Sequence, residues 1–316
     1  MFEKNKSWGK INMSKKVKLV IDELQKLLGS GRVKENEILK DHTSIKIGGK
    51  CTALIEPKNI EELQSILTLF YKYKVRFFVI GNGTNLLISD KGIRAFIIKL
   101  SKNFSNIKKD GDNLCVLAGT SLLQLNNYCI KEGLSGLEFS YGIPGSVGGA
   151  TYMNAGAYGG QMSNVVTGVT YIDKVNIKHL SKEELQFDYR KSVFQNNPNY
   201  IILKVEFKLE NKNKEEVKKL SNEILNKRKE NHPTDFSAGS VFKRHKYLIA
   251  SKTIDELNLK GTYVGGAKIS EKHAGFIVNT GNATRKDVLK LVKIIQKKVY
   301  KKHKTTFELE VKLLGE

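Results

Sequence analysis

The chain has 316 residues, enough for two or three small domains with cores of their own. No apolar run approaches the length of a membrane-spanning helix, and Met1–Ser14 lacks the apolar centre of a signal peptide, so a cytoplasmic protein with no membrane partner is expected. Lys and Arg number 54 against 32 Asp and Glu, a net charge of +22. The Lys residues are scattered over polar faces of predicted helices and come with no nucleic-acid signature, which argues against nucleic acid and leaves anionic small substrates favoured.

Residues 1–14 are polar and read as a disordered extension. Val17, Val20, Ile21, Leu24, Leu27 and Leu28 then recur at helical spacing before Gly29, which predicts an amphipathic helix over 14–28. Leu39–Gly49 reads as a turn entering a strand. Cys51–Glu56 follows as a strand, Asn59–Tyr73 as a helix capped by Asn59, and Arg76–Ile80 as a strand, together a small βαβ unit. It runs into Gly81-Asn82-Gly83-Thr84-Asn85, with Leu86-Leu87-Ile88 beyond. This turn matches neither the dinucleotide nor the triphosphate fingerprint. Several amides and a hydroxyl in one concavity would suit a diphosphate, although an ordinary hairpin loop explains the same residues equally well.

Short strands are expected from Ile93 to Leu117, with a turn at 109–113, and a helix over Leu122–Lys131. Tyr141–Gly160 is crowded with glycine. A linker would be polar, whereas Ile143, Val147, Tyr152, Met153 and Tyr158 require burial. A tightly packed loop pressed against a large flat ligand is the better reading. Strands are expected again over Val165–Leu209, interrupted by a helix start at Ser181, then a polar helix over Lys212–Glu230. Beyond lie helices at 246–256 and 284–302 and strands at 275–279 and 306–313. The expected units are thus 15–80, 81–211, 212–305 and a closing strand, 306–316. Cys51, Cys115 and Cys129 lack paired spacing and the six His lack metal-ligand spacing, so buried thiols and no metal are expected.

Three segments carry reactive groups. Tyr189-Arg190-Lys191-Ser192-Val193-Phe194 sets a permanent planar cation beside a Tyr. Ala238-Gly239-Ser240-Val241-Phe242-Lys243-Arg244 sets a hydroxyl before two cations. Phe307–Gly315 alternates, so that Glu308 and Glu310 share a face. As bare residues these read as a surface Arg, a turn and a solvated strand face.

In order and spacing, GNGTNLLI and the later GIPGSVGGATYMNAGAYG resemble the flavin-binding core of the UDP-N-acetylenolpyruvoylglucosamine reductase family, from about Asp41 to the C-terminus. Thr43, Lys46, Gly48 and Gly49 match its N-terminal segment, and Lys272–Asn279 another, in which His273 reads as structural. Tyr189, Arg190, Ser192 and Phe194 match its Tyr-Arg motif, and Gly239, Ser240 and Phe242 its Gly-Ser motif. Glu308, Glu310, Val311 and Gly315 match its closing motif, with Leu309 where the family has Pro. The resemblance implies an α+β protein: an FAD-binding fold of two α/β subdomains (PCMH-type) plus a C-terminal α+β substrate-binding domain. It implies non-covalent FAD on Gly81, Asn82, Gly83, Thr84, Asn85 and Leu86 and on Pro144, Gly145, Ser146, Gly148, Gly149, Asn154, Ala155 and Gly156.

It further implies NADPH as reductant and UDP-N-acetylglucosamine enolpyruvate as substrate, with hydride passing through the flavin to carbon 3 of the enolpyruvyl group. Arg190 would bind the carboxylate, Ser240 would protonate carbon 2, and Glu310 would help stabilise the enolate. Lys243, Arg244 and Arg228 would hold the diphosphate. A monomer is expected. Only Gln195–Tyr200 separates Phe194 from the next strand, which resembles the shorter subtype without a Tyr-bearing lid. The alternative is a flavin-dependent sugar or alcohol oxidase of the same cofactor-binding fold. Such enzymes often bond FAD to His or Cys, and His42 and Cys51 are the residues of those types near the cofactor-facing segments.

Overall fold

A computed structural model of the chain describes residues 10–111 and 113–315, and for 10–14 the backbone alone. Helix α1 (Lys10–Leu28) begins four residues before Ser14. The expected extension therefore shrinks to residues 1–9, which lie outside the described residues. Val20, Ile21, Leu24 and Leu28 of α1 are buried with Leu63, Ile66, Leu67 and Phe70 of α2 (Ile60–Lys72), which Asn59 caps by accepting the Glu62 N–H at 2.8 Å.

These helices cover a sheet of β1 (Val33–Glu35), β2 (Cys51–Ile55), β3 (Phe77–Ile80) and β5 (Ile93–Lys99) in the order β1-β2-β5-β3. β2, β3 and β5 run parallel, and β5 lies between the two strands of the expected βαβ unit. A parallel sheet needs cover on both faces. Ala53, Ile55, Phe96 and Ile98 join the core under α1 and α2. Leu54, Ile80 and Ile97 pack on the other side with Leu39 and Ile88.

The central unit is a five-stranded antiparallel sheet, β12-β11-β13-β7-β6. Its strands are β6 (Ile107–Asp110), β7 (Asn113–Leu117), β11 (Val166–Asp173), β12 (Asn176–Ser181) and β13 (Tyr200–Lys208). Helices α3 (Leu122–Glu132) and α4 (Val147–Tyr152) flank it. Two short pairs complete the unit: β8 (Leu134–Ser135) with β14 (Glu210–Asn211), and β9 (Gly156–Ala157) with β10 (Gly160–Gln161), followed by α5 (Met162–Val165). The expected helix at Ser181 is one turn, closed by the Ser181 N–H on Glu184 Oε2 at 2.8 Å. Gln186 then turns left-handed, with φ 47°, and ends it.

Helix α6 (Lys214–Asn231) leads to the C-terminal unit, a sheet in the order β15-β18-β17-β16. It is built from β15 (Phe236–Ser240), β16 (Tyr263–Val264), β17 (Ala267–Ile269) and β18 (Phe276–Asn279). Helices α7 (Ala250–Glu256) and α8 (Arg285–His303) pack with it, and α8 opens on a Thr284–Asp287 capping box. The core here takes Ile45, Ile47 and Leu87 from the N-terminal half. The closing strand differs from expectation. Leu309 makes a single bridge to Phe242, and regular pairing begins only at β19 (Lys312–Leu314), which runs parallel to β4 (Leu86–Ile88). The Gly81–Asn85 turn is therefore no hairpin loop, because its two flanking strands pair with different partners. No described helix is long and apolar enough to cross a membrane.

Candidate active site

Two glycine-rich loops face each other at the C-terminal end of β3. Asn82 Nδ2 reaches the Pro144 carbonyl at 3.5 Å, and Ser146 Oγ lies against Gly81. Among the described residues, the N–H groups of Asn82, Gly83, Thr84 and Asn85 donate to no backbone carbonyl, nor do those of Gly145 and Ser146. Unclaimed amides in two facing loops fit the diphosphate of FAD. The sequence reading missed α4, whose cap is Ser146, accepting the Gly149 N–H at 3.3 Å.

The glycines divide into two kinds. A Cβ on Gly81 would lie 2.3 Å from Ser146 Oγ, one on Gly83 (φ +66) 1.9 Å from the His42 carbonyl oxygen, and one on Gly148 2.8 Å from Ala118 Cβ. In these positions the missing Cβ makes room for protein, a correction to the reading that gave the space to ligand. The Gly148 N–H also donates to Ala118 O. Gly149 is exposed and would meet only Ser146 Oγ, at 3.3 Å, so its open side is available to a ligand.

Asn154 and Ala155 also depart from expectation. The buried Asn154 side chain donates to Asp188 O at 3.0 Å and accepts the Ser163 N–H at 3.0 Å. Ala155 bonds through its backbone to Ala150 and Met162. Both make these bonds within the protein. Neither candidate covalent anchor is presented. Cys51 is buried, which pushes its thiol up to about 12, and His42 is held between Lys99 Nζ at 2.9 Å and Glu37 Oε1 at 2.8 Å.

Arg190 sits at the tip of a two-residue turn in which Asp188 and Lys191 exchange both backbone hydrogen bonds, at 3.1 and 3.0 Å. Its φ of 53° is left-handed, a conformation costing a side-chain-bearing residue roughly 1–2 kcal/mol. Its Nη2 donates to Gly156 O at 2.9 Å. Nε lies 2.7 Å from Glu310 Oε1, but the N–H is not aimed at the oxygen, so the contact is one of charge and the donor is left over. Burial pushes the Glu310 carboxyl above the usual carboxylate range, against the pull of Arg190, Lys243 and Lys312. A carboxyl so placed can carry a proton at higher pH than an exposed one.

Ser240 closes β15. The register with β18 slips by one residue between Ser237 and Ser240, a bulge that takes in Gly239 at φ 76°. Such bulges re-aim the side chain that follows. The next residue, Val241, accepts the Glu310 N–H at 2.8 Å, so Ser240 and Glu310 lie on adjoining extended segments. Lys243 Nζ pairs with the exposed Glu308 at 3.1 Å, and the exposed Arg244 donates its N–H to Tyr189 OH at 3.0 Å. Arg228 is elsewhere committed. Its Nε and Nη2 donate to the carbonyls of Tyr141 and Phe139, each at 3.2 Å, and its guanidinium stacks on Tyr158. It braces the glycine-rich segment through these bonds. Burial pulls His232 down to about 4 and lowers His273, which favours the neutral imidazole in each, and His273 Nδ1 accepts the Gly275 N–H.

Sequence reasoning missed Ser44, whose Oγ donates to Ser237 O at 2.6 Å and whose N–H donates to Gly83 O, tying the Gly81–Asn85 turn to β15. It missed Asn279, which donates to Ile45 O at 2.9 Å. It also missed Asn85, beyond its loop role, as a link to Glu310 O at 3.2 Å. Lone polar residues bonded across such sequence distances leave no local signal.

Residues 51–176 match the model of an FAD binding domain, and residues 231–314 that of the UDP-N-acetylenolpyruvoylglucosamine reductase C-terminal domain. The chain is similar to the UDP-N-acetylenolpyruvoylglucosamine reductase of Caldanaerobacter subterraneus, 45% identical over 94% of this chain and 99% of that one. It is 41% identical to that of Clostridium botulinum, over 94% and 97% of the two chains. The crystal structure of the Thermus caldophilus enzyme superposes with a TM-score of 0.78 at 37% identity, covering 88% of this chain and 98% of that one. Two glycine loops with unclaimed amides, an arginine–glutamate pair beside a re-aimed serine, and homology over nearly the full length lead to one conclusion: this chain belongs to the UDP-N-acetylenolpyruvoylglucosamine reductase family.

Proposed function

We propose that the protein reduces UDP-N-acetylglucosamine enolpyruvate to UDP-N-acetylmuramate with NADPH, the step that supplies this sugar for peptidoglycan precursors. The observation that carries the reading is the half-buried Arg190–Glu310 pair, set between the glycine-rich core and the segment ending in Ser240. The unclaimed amides of 82–85 and 145–146 would hold the FAD diphosphate, and the exposed side of Gly149 would lie along the cofactor. Bound there, FAD would supply the hydride-transfer chemistry between NADPH and carbon 3 of the enolpyruvyl group.

The chain's own residues then manage the charge. Arg190 holds the substrate carboxylate through its planar fork, and its unaligned Nε–H supplies a donor there. Glu310, whose hold on a proton burial strengthens, stabilises the enolate beside Arg190. Ser240 delivers the proton to carbon 2, and the bulge before it sets the direction. Arg244, which is exposed, and Lys243, half-buried beside Glu308, would hold the diphosphate. An oxidase reading is not favoured, since neither His42 nor Cys51 is presented for a covalent flavin link. We place the protein in the cytoplasm as a monomer, which gel filtration of the purified protein would check.

The test is an anaerobic assay of purified protein. It should be yellow, release its flavin on acid precipitation, and consume NADPH beyond one equivalent per flavin only when the enolpyruvyl sugar is added, giving a product heavier by one hydride and one proton. NADPH consumption that needs oxygen and ignores the sugar would overturn the reading.

A further inference from the structure

Gln195 is the last residue of the turn Val193–Gln195, close to the Arg190 hairpin, and has no assigned role. Its carboxamide has three oxygen or nitrogen partners, besides a longer contact of Nε2 to Met153 Sδ at 3.8 Å. Nε2 donates to Tyr152 O at 3.0 Å and to Arg190 O at 2.9 Å, and Oε1 accepts from Lys312 Nζ at 2.9 Å. Each partner belongs to a different part of the site. Tyr152 ends α4, the helix that carries Gly149. Arg190 is the left-handed hairpin tip. Lys312 opens β19, two residues after Glu310 and past a bend at Val311, and its charge acts on the Glu310 carboxyl. Ser192 Oγ adds a second donor to the Tyr152 carbonyl, at 2.7 Å.

We propose that Gln195 is a positioning residue for the reduction: it fixes the strained backbone of Arg190 relative to α4 and, through Lys312, ties down the segment that bears Glu310. The inference rests on the reading of Arg190 as the carboxylate-binding residue. The chemistry of the group explains why a glutamine serves. One planar amide offers two N–H groups to two carbonyls and keeps an oxygen for a cation. A glutamate would satisfy Lys312 and face two carbonyls with no proton to give. A leucine would release all three partners. The left-handed turn at Arg190 would then lose a side-chain restraint on its carbonyl, and the guanidinium would wander relative to both Glu310 and the cofactor loops. A misplacement of about 1 Å at a reacting centre is enough to cost roughly a hundredfold.

The experiment compares the two half-reactions in holoenzyme by anaerobic stopped flow, for Gln195→Leu, Gln195→Glu and Arg190→Ala. Both Gln195 variants should be reduced by NADPH within about twofold of wild type, and be reoxidised by UDP-N-acetylglucosamine enolpyruvate roughly tenfold to a hundredfold more slowly. Wild-type reoxidation in Gln195→Leu with slow reoxidation in Arg190→Ala overturns the proposal and leaves Arg190 in its role. Wild-type reoxidation in both overturns the Arg190 reading and the proposal with it. An equal slowing of both half-reactions shows a general structural role and also overturns it. Should Gln195→Leu fail to fold, the near-isosteric Gln195→Glu and the separate Lys312→Met carry the same comparison.

Discussion

Replacing Gly83 and Gly149 with valine separates glycines that serve the fold from those that serve the cofactor. At Gly83 a Cβ would sit 1.9 Å from the His42 carbonyl oxygen, and ordinary contact begins at 3.4 Å. The backbone at His42 would have to retreat by about 1.5 Å, an overpacking that typically costs roughly 1–3 kcal/mol. The left-handed φ of +66° adds about 1–2 kcal/mol for any side-chain-bearing residue. The sum, roughly 2–5 kcal/mol, is a large share of the 5–15 kcal/mol that holds a typical domain together. Gly83→Val should therefore lose stability and FAD together. At Gly149 the nearest atom to a Cβ is Ser146 Oγ at 3.3 Å, and a helix tolerates the change.

Gly149→Val should consequently fold like wild-type apoprotein and fail only in holding FAD. The assay is the flavin-to-protein absorbance ratio, with thermal melts at increasing FAD. Wild type should gain about 2.7 kcal/mol at a hundredfold excess over Kd, and Gly149→Val almost nothing at the same concentration. Full FAD occupancy in Gly149→Val, or an apo melt as low as that of Gly83→Val, would refute the division.

Arg244→Ala should raise KM for the enolpyruvyl sugar about tenfold and leave flavin reduction by NADPH unchanged, and an unaltered KM removes Arg244 from the site. Glu310→Gln should lower turnover by about tenfold to a hundredfold, and wild-type kcat should fall as pH rises through the raised Glu310 pKa, a limb the variant lacks. The same direction fixes a stability effect. A carboxyl raised on folding contributes fully below its unfolded pKa, and that contribution is lost as pH rises through the folded one. Glu310→Gln should thus gain stability relative to wild type as pH rises from 4 to 8, measured as urea midpoints, and a growing deficit would contradict the assignment.

Local pattern made much of this molecule legible. The spacing of Val20, Ile21 and Leu24 and the cap at Asn59 gave two helices, and the motifs around Arg190, Ser240 and Glu310 named the segments that meet. Three kinds of feature were not legible. The partner of β4 is β19, at the far end of the chain, so no local signal distinguishes the Gly81–Asn85 turn from a hairpin. The helix α4 hides in a glycine-rich run whose propensity points away from helix. The third is what a glycine is for. Gly148 and Gly149 are neighbours in sequence, yet one packs on Ala118 and the other is exposed, a distinction set entirely by tertiary packing. The bonds of Arg228 to the Tyr141 and Phe139 carbonyls show the same limit, since those partners lie in a distant segment.

The central claim is that hydride delivery and proton delivery are the work of separate groups, with Ser240 supplying the proton. Anaerobic stopped flow on Ser240→Ala tests it most directly. NADPH should reduce the bound flavin at a near-normal rate, because that step involves no proton on carbon 2. Reoxidation by UDP-N-acetylglucosamine enolpyruvate with release of product should slow by about 10²–10⁴-fold, the usual contribution of a general acid. Ser240→Cys should recover part of it, since a thiol also donates a proton. Product formed at the wild-type rate by Ser240→Ala, or a collapse of flavin reduction by NADPH instead, would contradict the account.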